Sequence, residues 1–218
     1  MKKLLYKEFK LSLNPLYFIF VLMGAMVMIP DYNYYVIFIY TAMVVVNNIF
    51  TTGKANKDIE YTAMLPIGKR DVVKARFLSV VLYQLVNIAV TAIFAVIANV
   101  VYGNGANLGG IDRNVAFFGF VLVMMGVFNI AYLPAFYKTA NKILRPVVFG
   151  MIALVVCIGV FETVSQYVYS PVSMYLDAST AQGNFKQIPV LVCGIIIYAV
   201  LNILAYRISA KRFERIDL

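Results

Sequence analysis

The run FLSVVLYQLVNIAVTAIFAVIANVVY, residues 77–102, carries no charged side chain. As a helix rising 1.5 Å per residue it reaches about 39 Å, enough to cross a hydrocarbon core of about 30 Å with some tilt. It reads as a membrane span. Outward from it, apolar runs bounded by charges or turn residues give five more spans: Leu16–Ile29, Tyr34–Phe50, Asn114–Tyr137, Pro146–Val168 and Ile188–Tyr206. The first is short, so it either tilts little or begins before Leu16. The expected fold class is an all-α integral membrane protein with six transmembrane helices in one domain, residues 1–218.

Composition agrees. Hydrophobic residues make up 62% of the chain and charged ones 13%, where a soluble domain carries about a quarter charged residues. Six spans leave no room for a separate soluble domain of about 100 residues.

The net charge of +9 could point to nucleic acid, but its placement does not. Lys2, Lys3, Lys7 and Lys10 precede the first span. Lys54, Lys57, Lys69, Arg70, Lys74 and Arg76 lie between spans two and three. Lys138, Lys142 and Arg145 lie between spans four and five, and Arg207, Lys211, Arg212 and Arg215 follow the last. Only Arg113 and Lys186 fall on the other side. By the positive-inside rule both termini are expected in the cytoplasm of a multi-pass cell-membrane protein. The basic excess then reports topology and attraction to anionic membrane lipids, with no nucleic-acid partner.

Residues 1–15 precede the first span. At 100° per residue Leu4, Leu5, Phe9 and Leu13 share one face, and Lys3, Lys7 and Lys10 gather on the other. The pattern predicts an interfacial amphipathic helix ended by Asn14–Pro15, with a plain charged extension as the alternative. A cleaved signal peptide fits poorly, because no small-residue cleavage pattern follows Ile29. Cys157 and Cys193 both fall within spans and are expected to pack as small apolar residues. On the outer side, PDYN (30–33) predicts a tight turn between spans one and two. The glycine- and asparagine-rich GNGANLGGIDR (103–113) predicts a flexible connection. Segment 169–187, the longest outer one, has enough apolar residues to touch the membrane or fold over an exit.

Much chemistry is excluded. The chain has no histidine, which removes His-based zinc sites and Ser-His-Asp triads. It has no phosphate-binding loop of the G-x-x-x-x-G-K-[ST] type. Its aspartates fall in connections rather than at membrane depth, so no intramembrane aspartyl protease is expected. The chain is read as non-catalytic, with no catalytic or metal residues and no cofactor of its own.

Polar residues do occur within spans. Gln84, Asn87 and Thr91 share one face of the third span, Asn47 and Asn48 lie late in the second, Asn129 in the fourth and Asn202 in the last. They are candidates for a cargo path, or else for hydrogen bonds that fix helix packing. Glu162, the only carboxylate within a span, lies about 24 Å beyond Pro146, near the outer edge of the hydrocarbon. Its candidate roles are interfacial contact or ion coupling.

The connection KANKDIEYTAMLPIGKRDVVKAR, residues 54–76, is more elaborate than an inner loop requires. DIEYTAML is a short segment stopped by Pro66, and Gly68 can start a new helix with Asp71 in its first turn, where the helix dipole favours an acid. A short helix tied rigidly to the next span suits docking into a groove on a cytoplasmic partner, with Tyr61, Met64, Leu65 and Ile67 as apolar anchors. The alternative is a basic loop resting on headgroups.

The stretch E-x-x-x-x-L-P-I-G-K-R-D-V-V-x-A-R (60–76) resembles the signature of ABC-2 type exporter permeases. There a short coupling helix precedes Leu-Pro-[Val/Ile]-[Ser/Thr/Gly]-[Lys/Arg]-[Lys/Arg] and the third span. The N-terminal amphipathic helix, six spans and inside termini are similar to that family as well. The resemblance implies that residues 58–66, with Asp58, Glu60, Tyr61, Met64, Leu65 and Pro66, form the coupling helix. Ile67 and Gly68 would follow it, with Lys69 and Arg70 as the basic pair. Gly68 stands where many members carry a hydroxyl residue. The small size is similar to a Gram-positive branch that exports amphipathic peptides such as phenol-soluble modulins or confers bacteriocin and antibiotic immunity.

The implied function is the permease subunit of an ATP-driven exporter for an amphipathic peptide, antimicrobial or lipid-like cargo. Its implied partners are a cytoplasmic ABC ATPase that binds ATP and Mg, and a second permease copy or a related permease. The alternative is the solute-binding membrane subunit of an energy-coupling-factor importer.

Overall fold

Proline, glycine and charge divide the chain into helices near the expected places. The computed structural model describes residues 2–12, 16–63, 67–103, 107–139, 142–167, 175–176, 178 and 180–216, and among these there is no strand. The N-terminal helix α1 (Lys2–Lys7) runs on as a π-helical turn, Glu8–Ser12. The first apolar helix, α2, is an α-turn (Leu16–Ile19) followed by a 3-10 helix (Phe20–Met28). Five longer apolar segments have the length and composition to cross a membrane: α3 (Tyr35–Ala55), α5 (Lys69–Tyr102), α6 (Val115–Lys138), α7 (Leu144–Ser165) and α9 (Ile188–Glu214). Between α3 and α5 sits the short α4 (Asp58–Ala63), and before α9 the short α8 (Ala181–Lys186).

The short first apolar helix gains length in an unforeseen way. Its nine 3-10 residues rise about 2.0 Å each, so α2 reaches about 24 Å where an α-helix of the same residues would reach about 20 Å. Its buried residues Val21, Gly24 and Val27 are three apart. That is the repeat of a helix with three residues per turn, and it lays them in a straight seam. The seam packs along α5.

The longest helix, α5, has 34 residues and is about 51 Å long, well beyond the hydrocarbon thickness. It therefore begins outside the membrane at Lys69, as the Gly68 break predicts. Gly68 caps it in extended conformation with no side-chain bond, and its carbonyl accepts from the Asp71 amide at 2.9 Å. One rigid element thus joins the connection between α3 and α5 to the apolar bundle.

The α6 and α9 helices form the main packing pair, with α7 against α6. At the termini end of the bundle Phe50, Phe136, Tyr137 and Phe213 pack ring to ring, with Phe50 and Phe136 centroids 4.5 Å apart. At the other end Tyr34, Tyr35 and Phe38 surround Phe117, and Phe120 stacks on Phe161 at 4.7 Å. Offset and edge-on aromatic pairs of this kind are worth about 1 kcal/mol each beyond the area they bury.

The connections at the end of the bundle away from the termini are fastened rather than loose. Asn107 is buried and donates to the Tyr32 and Ile111 carbonyls at 3.0 and 3.2 Å, while Asp112 accepts from the Asn107 amide. The Arg113 guanidinium holds Asn99, the Tyr34 hydroxyl and the Gly103 carbonyl. For residues 107–113 the expected flexibility is therefore corrected, because their polar side chains bond back to the helix ends. In the longer outer segment, Gln187 is fully buried and donates to the carbonyls of Tyr175, Leu176 and Ala178 while accepting from the Ala116 amide. These bonds fold the described part onto the start of α6.

Candidate functional site

The short helix α4 has two unlike faces. Asp58 and Thr62, four residues apart, point into the protein and are 8% and 1% exposed, whereas Tyr61 is 62% exposed. The polar face is inside and the aromatic faces solvent, the reverse of a helix resting on an apolar core. Met64, Leu65 and Pro66 lie outside the described residues, as does the side chain of Glu60.

What holds α4 is a buried ionic knot. Arg76, from the second turn of α5, is only 2% exposed. Its Nε donates to Glu8 Oε2 at 2.9 Å and its Nη2 to Glu8 Oε1 at 3.3 Å, a two-pronged pair. The same Nη2 donates to Asp58 Oδ2. Lys7 pairs with Asp58 and donates to Thr62 Oγ1 at 2.8 Å, and Thr62 donates to the Asp58 carbonyl at 2.6 Å. Lys7 and Arg76 balance Glu8 and Asp58, so the knot is neutral. Beneath it the Arg76 guanidinium lies 5.8 Å from the Phe50 ring centroid. A Cβ at Gly53 would come within 2.7 Å of Arg76 Nη1, so glycine at 53 is what admits the guanidinium. Three segments distant in sequence, α1, α4 and α5, are bound together here.

Burying charge costs several kcal/mol per ion, and only close, multiply bonded geometry offsets it. Arginine suits the task, since its planar fork meets two carboxylates at once. The expectation that Lys7 lies on a solvent or headgroup face is corrected. It turns toward Asp58 because α4 lies on α1 and supplies the opposite charge.

The residues after α4 are bound to the tail. Arg70 forms a bidentate pair with Glu214 at 2.5 and 3.1 Å, and Lys69 donates to the Ile216 carbonyl at 2.7 Å. Gly68 is exposed and Ile67 half-buried. The basic pair thus fixes the start of α5 against the end of α9.

Gln84, Asn87 and Thr91 all point into the interior and are 1% exposed or less. Gln84 and Asn129 exchange two amide bonds at 2.9 and 2.8 Å, Tyr198 donates to Gln84 at 3.0 Å, and Asn129 donates to Asn202 at 2.9 Å. This network crosses α5, α6 and α9. Thr41 of α3 donates to Asn87 at 3.0 Å, Thr91 bonds the Asn87 carbonyl, and Tyr132 donates to Asn47 at 3.1 Å. Asn48 is half-buried. Among these groups, all but Asn48 make bonds between or within helices, although the buried Nδ2 of Asn87 has no acceptor among the described residues.

Glu162 closes the α-helical part of α7, Leu144–Glu162, at the end away from the termini. Asn33, in the turn between α2 and α3, donates to its Oε1 at 3.1 Å. A Cβ on Gly110 would come within 2.5 Å of that oxygen, and Gly110 has φ +151°. Two outer turns therefore close over the carboxylate. It is separated by most of the bundle from the knot around Arg76.

Sequence reasoning missed Glu8, Lys7 and Arg76 as a site. The available signal was Glu8 itself, the one acid in a lysine-rich leader. Among the described residues no group of acids, cysteines or histidines is arranged to hold a metal.

No curated protein and no solved structure matches the chain at significance. The family model described as ABC-2 family transporter protein matches residues 3–214. That span takes in the leader, the ionic knot, the break at Gly68 and every apolar helix. The chain belongs to the ABC-2 transporter family and is a multi-pass membrane permease subunit of an ABC transporter.

Proposed function

We propose that this permease is the membrane half of an exporter, and that α4 with residues 64–70 is the element on which its ATPase pushes. The observation that carries this is the two-faced α4, with Tyr61 presented outward while Asp58 and Thr62 are locked to Lys7 and Arg76. A load on the Tyr61 face passes through a buried ion pair into α5, which runs unbroken from Lys69 to Tyr102. It passes equally into α1. The arrangement suits a lever, and ATP-driven closure of two ATPase chains would rock the helices it holds. ATP and Mg belong to the partner.

The basic-residue asymmetry supports a cytoplasmic side for both termini, α4 and the Lys69–Arg70 pair. With Gln84 and Thr91 bonded inside one chain, a cargo path between two permease copies, this chain with itself or with a relative, fits better than one through a single bundle. The exposed faces of α5 and α7 are aliphatic, Val96, Val100, Ile152 and Val156 among them. That surface suits an amphipathic peptide or lipid-like cargo and not a small ion.

Tyr61→Asp and Leu65→Asp test the docking role. Charging a central apolar anchor costs about 2 kcal/mol or more, about thirtyfold in association. Both variants are expected to insert normally, lose the ATPase in pull-down, and lose cargo-stimulated ATP hydrolysis in liposomes. Lys142→Asp, at an exposed position in another connection on the same side, is expected to do much less. Full ATPase retention by both α4-segment variants would reduce the segment to a basic loop.

A further inference from the structure

Between α6, α7 and α9, at the end that carries the termini, lies a groove of about 640 Å³. Its walls are apolar, with Ile130, Pro134, Leu144, Val148, Phe149 and Ile208 among them, and its rim carries Lys138, Arg145 and Arg212 and no acid. Arg212 is held over the opening by its Nη1, which donates to the Pro134 carbonyl at 2.7 Å. Among the described residues no carboxylate pairs with any of the three cations. The groove opens onto bare helix surface. Leu144 is 75% exposed, and Phe149, Ile152 and Val156, also exposed, follow Arg145 at spacings that put all four on one face of α7.

We infer that this groove is a binding site for an anionic phospholipid. Three cations at one end of an apolar channel match a phosphate headgroup joined to acyl chains, and the exposed stripe along α7 gives those chains a track toward the bilayer centre. A second cationic hollow, at Arg70, Arg207, Lys211 and Arg215, contains Glu214, which pairs with Arg70 and offsets part of its charge, so it does not match in the same way. The choice of cytoplasmic leaflet rests on the orientation proposed above; the lipid preference does not.

The chain contains no tryptophan, so one introduced indole reports its own surroundings. Full-length Phe149→Trp would be placed in vesicles of phosphatidylcholine and phosphatidylglycerol, with one lipid at a time brominated on its acyl chains. Quenching then gives the relative occupancy of the two lipids at position 149. Each basic residue beside an anionic headgroup is worth about fivefold in binding. The expected result is a preference for phosphatidylglycerol that falls by about thirtyfold in Lys138→Gln/Arg145→Gln. Both of these side chains are exposed, so the fold should survive their loss. Val192→Trp, exposed on the opposite half of α9, should show no preference. Equal quenching by the two lipids at position 149, or a preference untouched by the double variant, would overturn the assignment. An equal preference at 192 would assign the effect to the membrane surface at large and overturn it too.

Discussion

Arg76→Met removes the buried cation that bridges Glu8 and Asp58 and leaves both carboxylates facing Lys7 alone. The knot changes from neutral to a net charge of −1, with Glu8 and Asp58 still 2% and 8% exposed. Breaking a buried ion pair by deleting one partner costs about 3–5 kcal/mol, mostly as the penalty on the charge left behind. The spans cannot relieve that penalty, but α1 and α4 can, because both lie at the end of the bundle and can move into water. The loss should therefore appear as local opening rather than global unfolding. Amide exchange in residues 58–63, measured by deuterium uptake and mass spectrometry in nanodiscs, is expected to speed up about 10²- to 10⁴-fold. Exchange in the membrane part of α5 and in α6 should stay as it was. Adding Glu8→Gln to Arg76→Met restores neutrality through Lys7 and Asp58, and should recover about tenfold or more of the protection. Two results would refute the reasoning. One is uptake in α4 within about threefold of the parent. The other is a loss of protection spread evenly through the bundle.

Cysteine labelling with an impermeant maleimide, after replacement of Cys157 and Cys193, should reach position 108 but not position 61 in intact cells. Leu108 is 86% exposed and so reports more cleanly than buried Asn107; labelling at 61 alone would invert the topology. Glu162→Gln keeps an acceptor for Asn33 and should lower transport less than about tenfold. Gly110→Ala, which drives a methyl group against the same carboxylate in a strained conformation, should be the more damaging of the two. Loss of all transport in Glu162→Gln at normal protein level would assign the carboxylate to ion coupling. Gln84→Leu removes two bonds with Asn129 and one from Tyr198, and should cost about 2 kcal/mol, since membrane-buried hydrogen bonds average about 0.6 kcal/mol each. Its thermal midpoint in detergent should fall by a few degrees while transport persists; abolished transport at full stability would return Gln84 to the cargo path.

The spans were legible because the bilayer leaves one simple mark, long apolar runs punctuated by charge. The start of α5 at Lys69 was legible from Pro66 and Gly68 for an equally local reason. The knot was not. Glu8, Asp58 and Arg76 come from three segments, and each taken alone reads as surface charge or as topology. Helical periodicity placed Lys7 opposite Leu4 and Leu5, but it says nothing of a second helix arriving with Asp58. The polar face of α5 was visible in Gln84, Asn87 and Thr91. Whether it met water or the amides of Asn129 and Asn202 depended on how α6 and α9 pack. The 3-10 form of α2 left no trace, since a run in which nearly every residue is apolar shows no period.

The reach of α2 sets a condition on the lipid beside it. At about 24 Å this helix is roughly 6 Å shorter than an average hydrocarbon core, even with the extra rise of its 3-10 turns. Where α2 crosses the bilayer as a sixth span, lipid along its exposed edge, at Ile19 and Leu22, would thin to meet it, at a fraction of a kcal/mol for each ångström. The two headgroup layers are drawn toward one another on that flank, while the 34-residue α5 sets no such demand on the bilayer around it. A first span of this reach would dent the membrane on one flank, and an amphipathic molecule travelling there would cross less oil.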